Sequence, residues 1–244
     1  MTQRPSFPVG RKPATAKSTA PGGLLRPEGL GLDSSAIRAR LVQRLHAQGL
    51  RSALVSQAMN AVERQRFVDS ALANQAYEDT ALPIGLGQTI SSPSVVARMI
   101  ELLCAGVESR LGRVLEIGTG CGYQAAVLSH CANEVYSIER LRALHDKARD
   151  NLRPLRLANV HLLFGDGMLG YAKGAPYQSI IAAAVGEAIP QAWLDQLAQG
   201  GRLVAPLVRP GQGQALVLIE KSADGLRQST LDPVVFVPLK SGVA

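Results

Sequence analysis

The stretch VLEIGTGCGY, residues 114–123, decides the fold of this chain of 244 residues. It begins as an apolar run typical of a buried β-strand and ends in a turn with glycines at 118, 120 and 122. Glycine lets the backbone approach a ligand closely, and a helix that starts at such a turn has free N–H groups directed at that ligand. The stretch therefore predicts a strand, a ligand-binding turn and a helix.

Acidic residues end the next two apolar runs. Glu139 lies 21 residues after Gly118, at the end of EVYSIE, and the run NVHLLF is followed by a Gly-Asp-Gly turn around Asp166. In a parallel sheet the end of the second strand lies beside the first turn, so the Glu139 carboxylate can accept hydrogen bonds from a ribose diol. Asp166 can accept one from an adenine amino group. The predicted nucleoside-cofactor residues are Gly118, Gly120, Glu139, Asp166 and Gly167.

The glycine spacing excludes a dinucleotide fingerprint. GxGxxG needs a glycine at position 123, where this chain has tyrosine. The observed GxGxG, followed by the acidic Glu139, resembles the S-adenosylmethionine (AdoMet) site of Rossmann-like methyltransferases. The alternative is a glycine-rich turn that binds nothing, and Glu139 argues against it.

Composition indicates one domain. With 46% hydrophobic and 18% charged residues, the chain can bury a full core as a single α/β domain, and no apolar run is long enough to span a bilayer. Its three cysteines have no CxxC spacing and no histidine placed to complete a metal site. We therefore expect no metal, no membrane, and a location in the reducing cytoplasm.

The net charge of +7 is concentrated in an N-terminal tail. Residues 1–30 carry a net +4 and are rich in Pro, Gly, Ser and Thr, with little apolar surface to bury. We predict a disordered basic extension over residues 1–32 and a single domain over 33–244. Because the domain itself is nearly balanced, we expect no nucleic-acid partner, although an arm for anionic partners is an alternative for the tail.

The order of apolar runs and caps predicts N-terminal helices, then a doubly wound, mostly parallel sheet with an antiparallel edge. Ser52 and Ser92 are predicted helix caps, the second before Pro93, and residues 74–90 are predicted to be irregular. The last two apolar runs, 215–220 and 234–239, are predicted to pair antiparallel. The predicted strands are 114–117, 134–138, 159–163, 179–184 and 202–207, and the predicted helices after the glycine turn are 122–131, 141–153 and 190–198.

The segment GLGQTISSPS ends where a helix is predicted to begin. Unpaired N–H groups and the helix dipole favour an anion there, and Thr89 and Ser91 add hydroxyl donors. This pattern is consistent with a carboxylate-binding site. The alternative is that the serines only cap the helix.

Several segments together resemble the protein-L-isoaspartate O-methyltransferase family: AYED (76–79), LPIGLGQTIS (82–91), VLEIGTGCGY, YSIER, GDG and FVPL (236–239). The resemblance covers about residues 33–240. It implies methyl transfer from AdoMet to the free α-carboxylate of L-isoaspartyl residues in damaged proteins, which initiates repair through a succinimide. It also implies that Ser91 is the active-site position. We further expect a monomer.

Three features depart from the family pattern: Ser94, Gln178, and the run AAAV at 182–185, where the family usually has a Thr-Ala-Ala or Gly-Ala-Ala turn. All three are predicted to touch the wall of the cleft. Two other functions therefore stay open on the sequence: methylation of RNA or a small molecule, and an AdoMet-fold binding module without activity. The predicted reaction needs no general base, because a peptide α-carboxylate with a pKa near ~3.5 is ionised at neutral pH. Ser91 and Thr89 would position that carboxylate.

Overall fold

The computed structural model of the protein describes residues 35–244. The predicted extension, residues 1–32, and the first residues of the predicted domain lie outside the described part. Two helices come first, α1 (Ser35–Ala47) and α2 (Ala53–Ala61). Ser52 caps α2 as predicted, because its side chain accepts a hydrogen bond from the Val55 N–H.

The central layer is a seven-stranded sheet with the order β5-β4-β3-β6-β7-β8-β9. The first five strands in this order are parallel, and the β7–β8 and β8–β9 pairs are antiparallel. This is the predicted doubly wound architecture. The strands are β3 (Leu111–Ile117), β4 (Ala132–Glu139), β5 (Val160–Phe164), β6 (Tyr177–Ala182), β7 (Leu197–Arg209), β8 (Gly213–Ser222) and β9 (Gly225–Pro233).

Helices connect the parallel strands and bury apolar side chains against them. Both faces of the central strands are covered, so β3 is almost continuously buried along its length. The predicted helices are present, and their observed bounds differ by one to two residues. They are α3 (Pro93–Cys104), α4 (Tyr123–Cys131), α5 (Arg142–Leu152) and α6 (Gln191–Gln196).

The predicted pairing at the antiparallel edge is wrong. The outer partner of β8 is β9, a mostly polar and exposed strand, and the apolar run 234–239 follows it. An edge strand with both faces near solvent needs no apolar alternation, so β9 lacks the pattern by which a strand is predicted. The run 234–239 instead crosses the carboxyl end of the sheet, where the Val185 N–H donates to the Val237 carbonyl and the Leu239 N–H to the Val185 carbonyl, each at 2.8 Å.

The stretch predicted to be irregular, residues 74–90, holds a β-hairpin instead. Its strands are β1 (Leu82–Gly85) and β2 (Gln88–Ile90), which pair antiparallel with Leu82 opposite Ile90. Leu86 and Gly87 form the tight turn with φ angles of 54° and 68°. Two successive positive φ angles match the turn that suits the twist of a two-residue hairpin.

Candidate active site

A cleft lies at the carboxyl ends of the parallel strands. It is placed between β3 and β6, where the strand order reverses, and this is where open α/β sheets bind ligands. Its walls are the glycine turn, the residues that follow β4 and β6, the β1–β2 hairpin, and the segment Val237–Lys240.

The glycine turn is built as the sequence predicts. Gly118, Gly120 and Gly122 have φ angles of 90°, 56° and 91°, a region that other residues enter at a cost. Gly118 lies against Ala183, which follows β6, and the Ala183 N–H donates to the Ile117 carbonyl at 2.8 Å. Gly118 and Gly120 therefore present bare backbone to the cleft.

Glu139 lies at the rim of this turn and lines the cleft, with 5% of its surface exposed. One carboxylate oxygen accepts the Gly120 N–H and the other accepts the Leu141 N–H, both at 2.9 Å. Each oxygen retains a further lone pair, which the two hydroxyls of a ribose can use. Glu139 therefore has two roles. It holds the glycine turn in place through its hydrogen bond with Gly120, and it provides a buried carboxylate in the lining of the cleft.

Two residues of the Gly-Asp-Gly turn after β5 differ in their position relative to the cleft. Gly167 lines the cleft, and its carbonyl accepts a hydrogen bond from the Trp193 indole at 2.8 Å. Asp166 does not line the cleft; its carboxylate accepts the N–H groups of Met168 at 2.9 Å and Gly242 at 2.6 Å. Asp166 therefore binds backbone in this structure, with lone pairs left over on both oxygens.

Thr89 and Ser91 line the cleft from the hairpin. They are two residues apart, and alternate residues of an extended chain point to the same side. Within residues 35–244 neither hydroxyl has a hydrogen-bond partner. The structure thus brings both predicted residues to the cavity that the glycine turn lines, with donors available for a ligand.

The start of α3 is not the free anion site that was predicted. The Asp79 carboxylate accepts the Ser94 N–H at 2.9 Å, so an anion of the protein itself occupies this end of the helix. Ser92 is at the N-cap position but makes no capping bond with its side chain. Burial acts to raise the pKa of Asp79, but hydrogen bonds from Ser94 and Gln48 outweigh it and lower that pKa.

Of the three departures from the family pattern, the run 182–185 reaches the cleft as predicted, through Ala183 and Ala184, whereas Ser94 and Gln178 lie away from it, contrary to the prediction. Gln178 is near the amino end of β6, at the end of the strands opposite the cleft, where its side-chain oxygen accepts the Gly112 N–H. Ser94 faces a second depression beside Arg98 and Asp232. Neither substitution changes the wall of the active-site cleft.

The cleft also has residues that the sequence analysis did not assign. Arg140 and Leu141 follow Glu139, and Val237–Lys240 form the remaining wall. The FVPL run is the sequence signal for the last group, although its apolar pattern predicts a strand. Position in the parallel sheet is a signal for Arg140 and Leu141, because the carboxyl ends of neighbouring strands meet at one edge.

A buried polar network supports the glycine turn from below. Glu116 is fully buried on β3, and burial raises its pKa to about 8. The Ser137 hydroxyl donates to its carboxyl group and lies 2.6 Å from the Thr119 hydroxyl. Glu116 is therefore mostly protonated at neutral pH and acts as an uncharged part of the core.

The cysteines and histidines carry no chemistry in this site. Cys121 lines the cleft, but burial raises the pKa of its thiol, which keeps the sulfur protonated and weakly nucleophilic. The structure records the three cysteines as free. Within residues 35–244, no group of three or more His, Cys, Asp or Glu side chains could hold a metal ion.

The described residues fit a nucleoside cofactor: a glycine turn with exposed backbone, a buried carboxylate at its rim and a cleft at the carboxyl ends of the strands. The sequence profile of the family described as protein-L-isoaspartate(D-aspartate) O-methyltransferase matches residues 36–244. The chain belongs to this family. Membership confirms the predicted enzyme class, AdoMet-dependent protein carboxyl O-methyltransferase.

Relatives and solved structures agree with this assignment. The protein-L-isoaspartate O-methyltransferase of Methylibium petroleiphilum is 59% identical over 95% of this chain and 87% of its own length. That of Leptothrix cholodnii is 56% identical over 99% of this chain and 86% of its own. These matches confirm the isoaspartate methyltransferase function predicted from the sequence.

A solved protein-L-isoaspartate O-methyltransferase superposes with a TM-score of 0.76 at 29% identity, over 84% of this chain and 67% of that one. A putative protein-L-isoaspartate O-methyltransferase from Plasmodium falciparum, solved in complex with S-adenosyl-L-homocysteine, gives a TM-score of 0.70 at 23% identity. That match covers 83% of this chain and 98% of the other. The predicted Rossmann-like methyltransferase fold is confirmed.

Proposed function

We propose that the family reaction takes place in the cleft between the glycine turn and the β1–β2 hairpin. The observation that carries the proposal is the meeting of two predicted half-sites in one cavity. Gly118, Gly120 and Glu139 line one wall, and Thr89 and Ser91 line another. The substrate is the free α-carboxylate of an L-isoaspartyl residue in a damaged protein.

The cofactor half uses backbone and carboxylate groups. Glu139 accepts hydrogen bonds from the ribose hydroxyls, and Gly118 and Gly120 allow the cofactor to lie against the turn. Gly167 contributes a wall without a side chain. Asp166, the residue before it, lies outside the cleft lining and supports this wall by binding the Met168 and Gly242 N–H groups; its unused lone pairs make it the proposed acceptor for the adenine amino group. When bound, AdoMet supplies a methyl group on a positively charged sulfur.

The substrate half is built from hydroxyl donors. The Ser91 and Thr89 hydroxyls donate to the substrate carboxylate. They hold one of its oxygens toward the cofactor wall, which is the wall lined by Gly118, Gly120 and Glu139. The carboxylate is already ionised at neutral pH, so no general base is needed. Apolar side chains, among them Ile84, Ile90 and Leu239, line the cleft together with these hydroxyls. Such positioning can lower a barrier by up to roughly 7 to 11 kcal/mol.

The test is Ser91→Ala, with Ser92→Ala as the matched control. Ser91 lines the cleft, whereas Ser92 does not, and within residues 35–244 the Ser92 hydroxyl forms a hydrogen bond only with that of Ser94, at 3.4 Å. Loss of a donor to a charged group costs about 1.5 to 3 kcal/mol, which is roughly a tenfold to hundredfold loss of kcat/KM for an isoaspartyl peptide. AdoMet affinity should stay near that of the wild type in both variants.

Tritiated methyl transfer to an isoaspartyl peptide measures the rate, and the aspartyl peptide of the same sequence should be inert with every variant. The thermal midpoint is measured in parallel. If kcat/KM for Ser91→Ala falls only in proportion to lost folded protein, or if Ser92→Ala loses as much, Ser91 does not position the substrate.

We also propose that the enzyme works as a monomer in the cytoplasm. The free cysteines suit a reducing compartment. No helix among the described residues is long and apolar enough to cross a membrane. Light scattering coupled to gel filtration tests the monomer, because a dimer would double the measured mass.

A further inference from the structure

Lys147 lies on α5 and contacts the β1–β2 hairpin from outside the cleft. Its ammonium group donates a hydrogen bond to the Ile84 carbonyl at 2.8 Å. The pairing register of the hairpin shifts between Pro83 and Gly85, so Ile84 is a bulged residue outside the regular ladder. Lys147 therefore binds the hairpin at the position where the two strands do not pair directly.

The side chain of Ile84 extends the same link to the cofactor wall. It is 4% exposed, lines the cleft, and lies so close to Gly120 that a Cβ there would be 3.2 Å from its Cδ1 atom. Ile84 thus joins the hairpin to the glycine turn through its side chain and to α5 through its carbonyl.

The same face of α5 also holds the glycine turn. Asn151 lies one turn after Lys147, and its side-chain amide donates to the Cys121 carbonyl at 2.9 Å. Leu152 and Ala148 pack beside Gly122. One helix therefore bonds to both walls of the site, through Asn151 to the cofactor wall and through Lys147 to the hairpin.

We propose that Lys147 is a positioning residue for substrate binding, which it serves by holding the β1–β2 hairpin in the register that presents Thr89 and Ser91. An isolated two-stranded hairpin is marginally stable in water, so its position depends on such anchors. The proposal rests on the proposed function, because it assumes that the hairpin binds the substrate carboxylate. Lys147 does not line the cleft, so it acts through the hairpin.

The test is Lys147→Met, which keeps the aliphatic stem and removes the donor. We expect KM for an isoaspartyl peptide to rise roughly tenfold, in line with the loss of one charge-assisted hydrogen bond. AdoMet affinity and kcat at saturating peptide should change less than about twofold. Lys147→Arg restores a donor and should recover most of the lost peptide affinity, which a purely structural role for the stem would not predict.

Two other variants complete the design. Lys173→Met removes a positive charge from an exposed residue away from the cleft, and it should leave every parameter unchanged. Asn151→Ala should show the opposite pattern to Lys147→Met, with weaker AdoMet binding and a smaller effect on peptide KM. Lys147→Leu, which also lacks a donor, replaces the Met variant if that variant does not fold.

An unchanged peptide KM in Lys147→Met would overturn the proposal. So would a loss of AdoMet affinity without a change in peptide KM, since Lys147 would then act on the cofactor wall. In both cases, the expected tenfold to hundredfold loss of kcat/KM in Ser91→Ala would leave the proposed function intact. If instead Ser91→Ala has no effect on peptide methylation, the proposed substrate site itself fails.

Discussion

Replacing Glu139 by Gln tests both tasks of this carboxylate with almost no change of shape. The two carboxylate oxygens accept the N–H groups of Gly120 and Leu141 at 2.9 Å each, in a site that is 5% exposed. An amide retains one oxygen and places an NH₂ group opposite the other N–H. At least one charge-assisted hydrogen bond is therefore lost, at about 1.5 to 3 kcal/mol.

The same substitution removes one of the two acceptors available to the ribose diol. We expect AdoMet affinity to fall by a comparable free energy, which is roughly a 10- to 150-fold rise in Kd. Isothermal titration calorimetry measures that constant, and chemical denaturation without cofactor measures the separate cost to stability. Peptide methylation at saturating AdoMet should recover most of its rate.

Glu134→Gln is the matched control on the same strand. Glu134 lies toward the other end of β4, its side chain is 42% exposed, and it contacts His161 and not the cleft. It should leave AdoMet affinity unchanged. An AdoMet Kd for Glu139→Gln equal to that of the wild type would remove Glu139 from the cofactor site and reduce its role to supporting the turn.

Two further predictions concern the framework of the site. The pKa of Glu116 is raised to about 8, above its unfolded value near ~4.3, so its contribution to stability is full below that value and is lost as the pH rises toward 8. In urea titrations from pH 5 to 8, the free energy of unfolding of wild type relative to Glu116→Gln should fall by about 1.4 kcal/mol per pH unit; a constant difference would show that Glu116 is ionised in the fold. Gly122→Ala should cost about 1 to 3 kcal/mol and weaken AdoMet binding, because the new Cβ would lie 3.0 Å from Leu152 in addition to the strain of a φ of 91°. Gly211→Ala, with a φ of 70° and open space around it, isolates the strain alone, and equal losses in the two variants would refute a role for the contact with Leu152.

The sequence by itself determined the frame of the protein and the residues of the cofactor wall. Apolar runs of strand length separated by amphipathic helices specify a parallel sheet, and the carboxyl ends of its neighbouring strands must meet at one edge. The sequence alone therefore predicts that Gly118, Gly120 and Glu139 lie close together. The hairpin residues Thr89 and Ser91 were found through the specific LPIGLGQTIS run, although the hairpin itself was not predicted.

The contacts that hold the cleft wall, the start of α3 and the hairpin in place became known only from the tertiary structure. Strand β9 is polar because it is an exposed edge, so its sequence carries no strand signal, and the apolar run after it was free to form the wall of the cleft. The cap of α3 comes from Asp79 instead of the adjacent Ser92, and the anchor of the hairpin comes from Lys147, 63 residues from Ile84. Local patterns reflect which face of an element is buried, whereas a hydrogen bond between a side chain and a distant backbone group depends on how the folded elements meet.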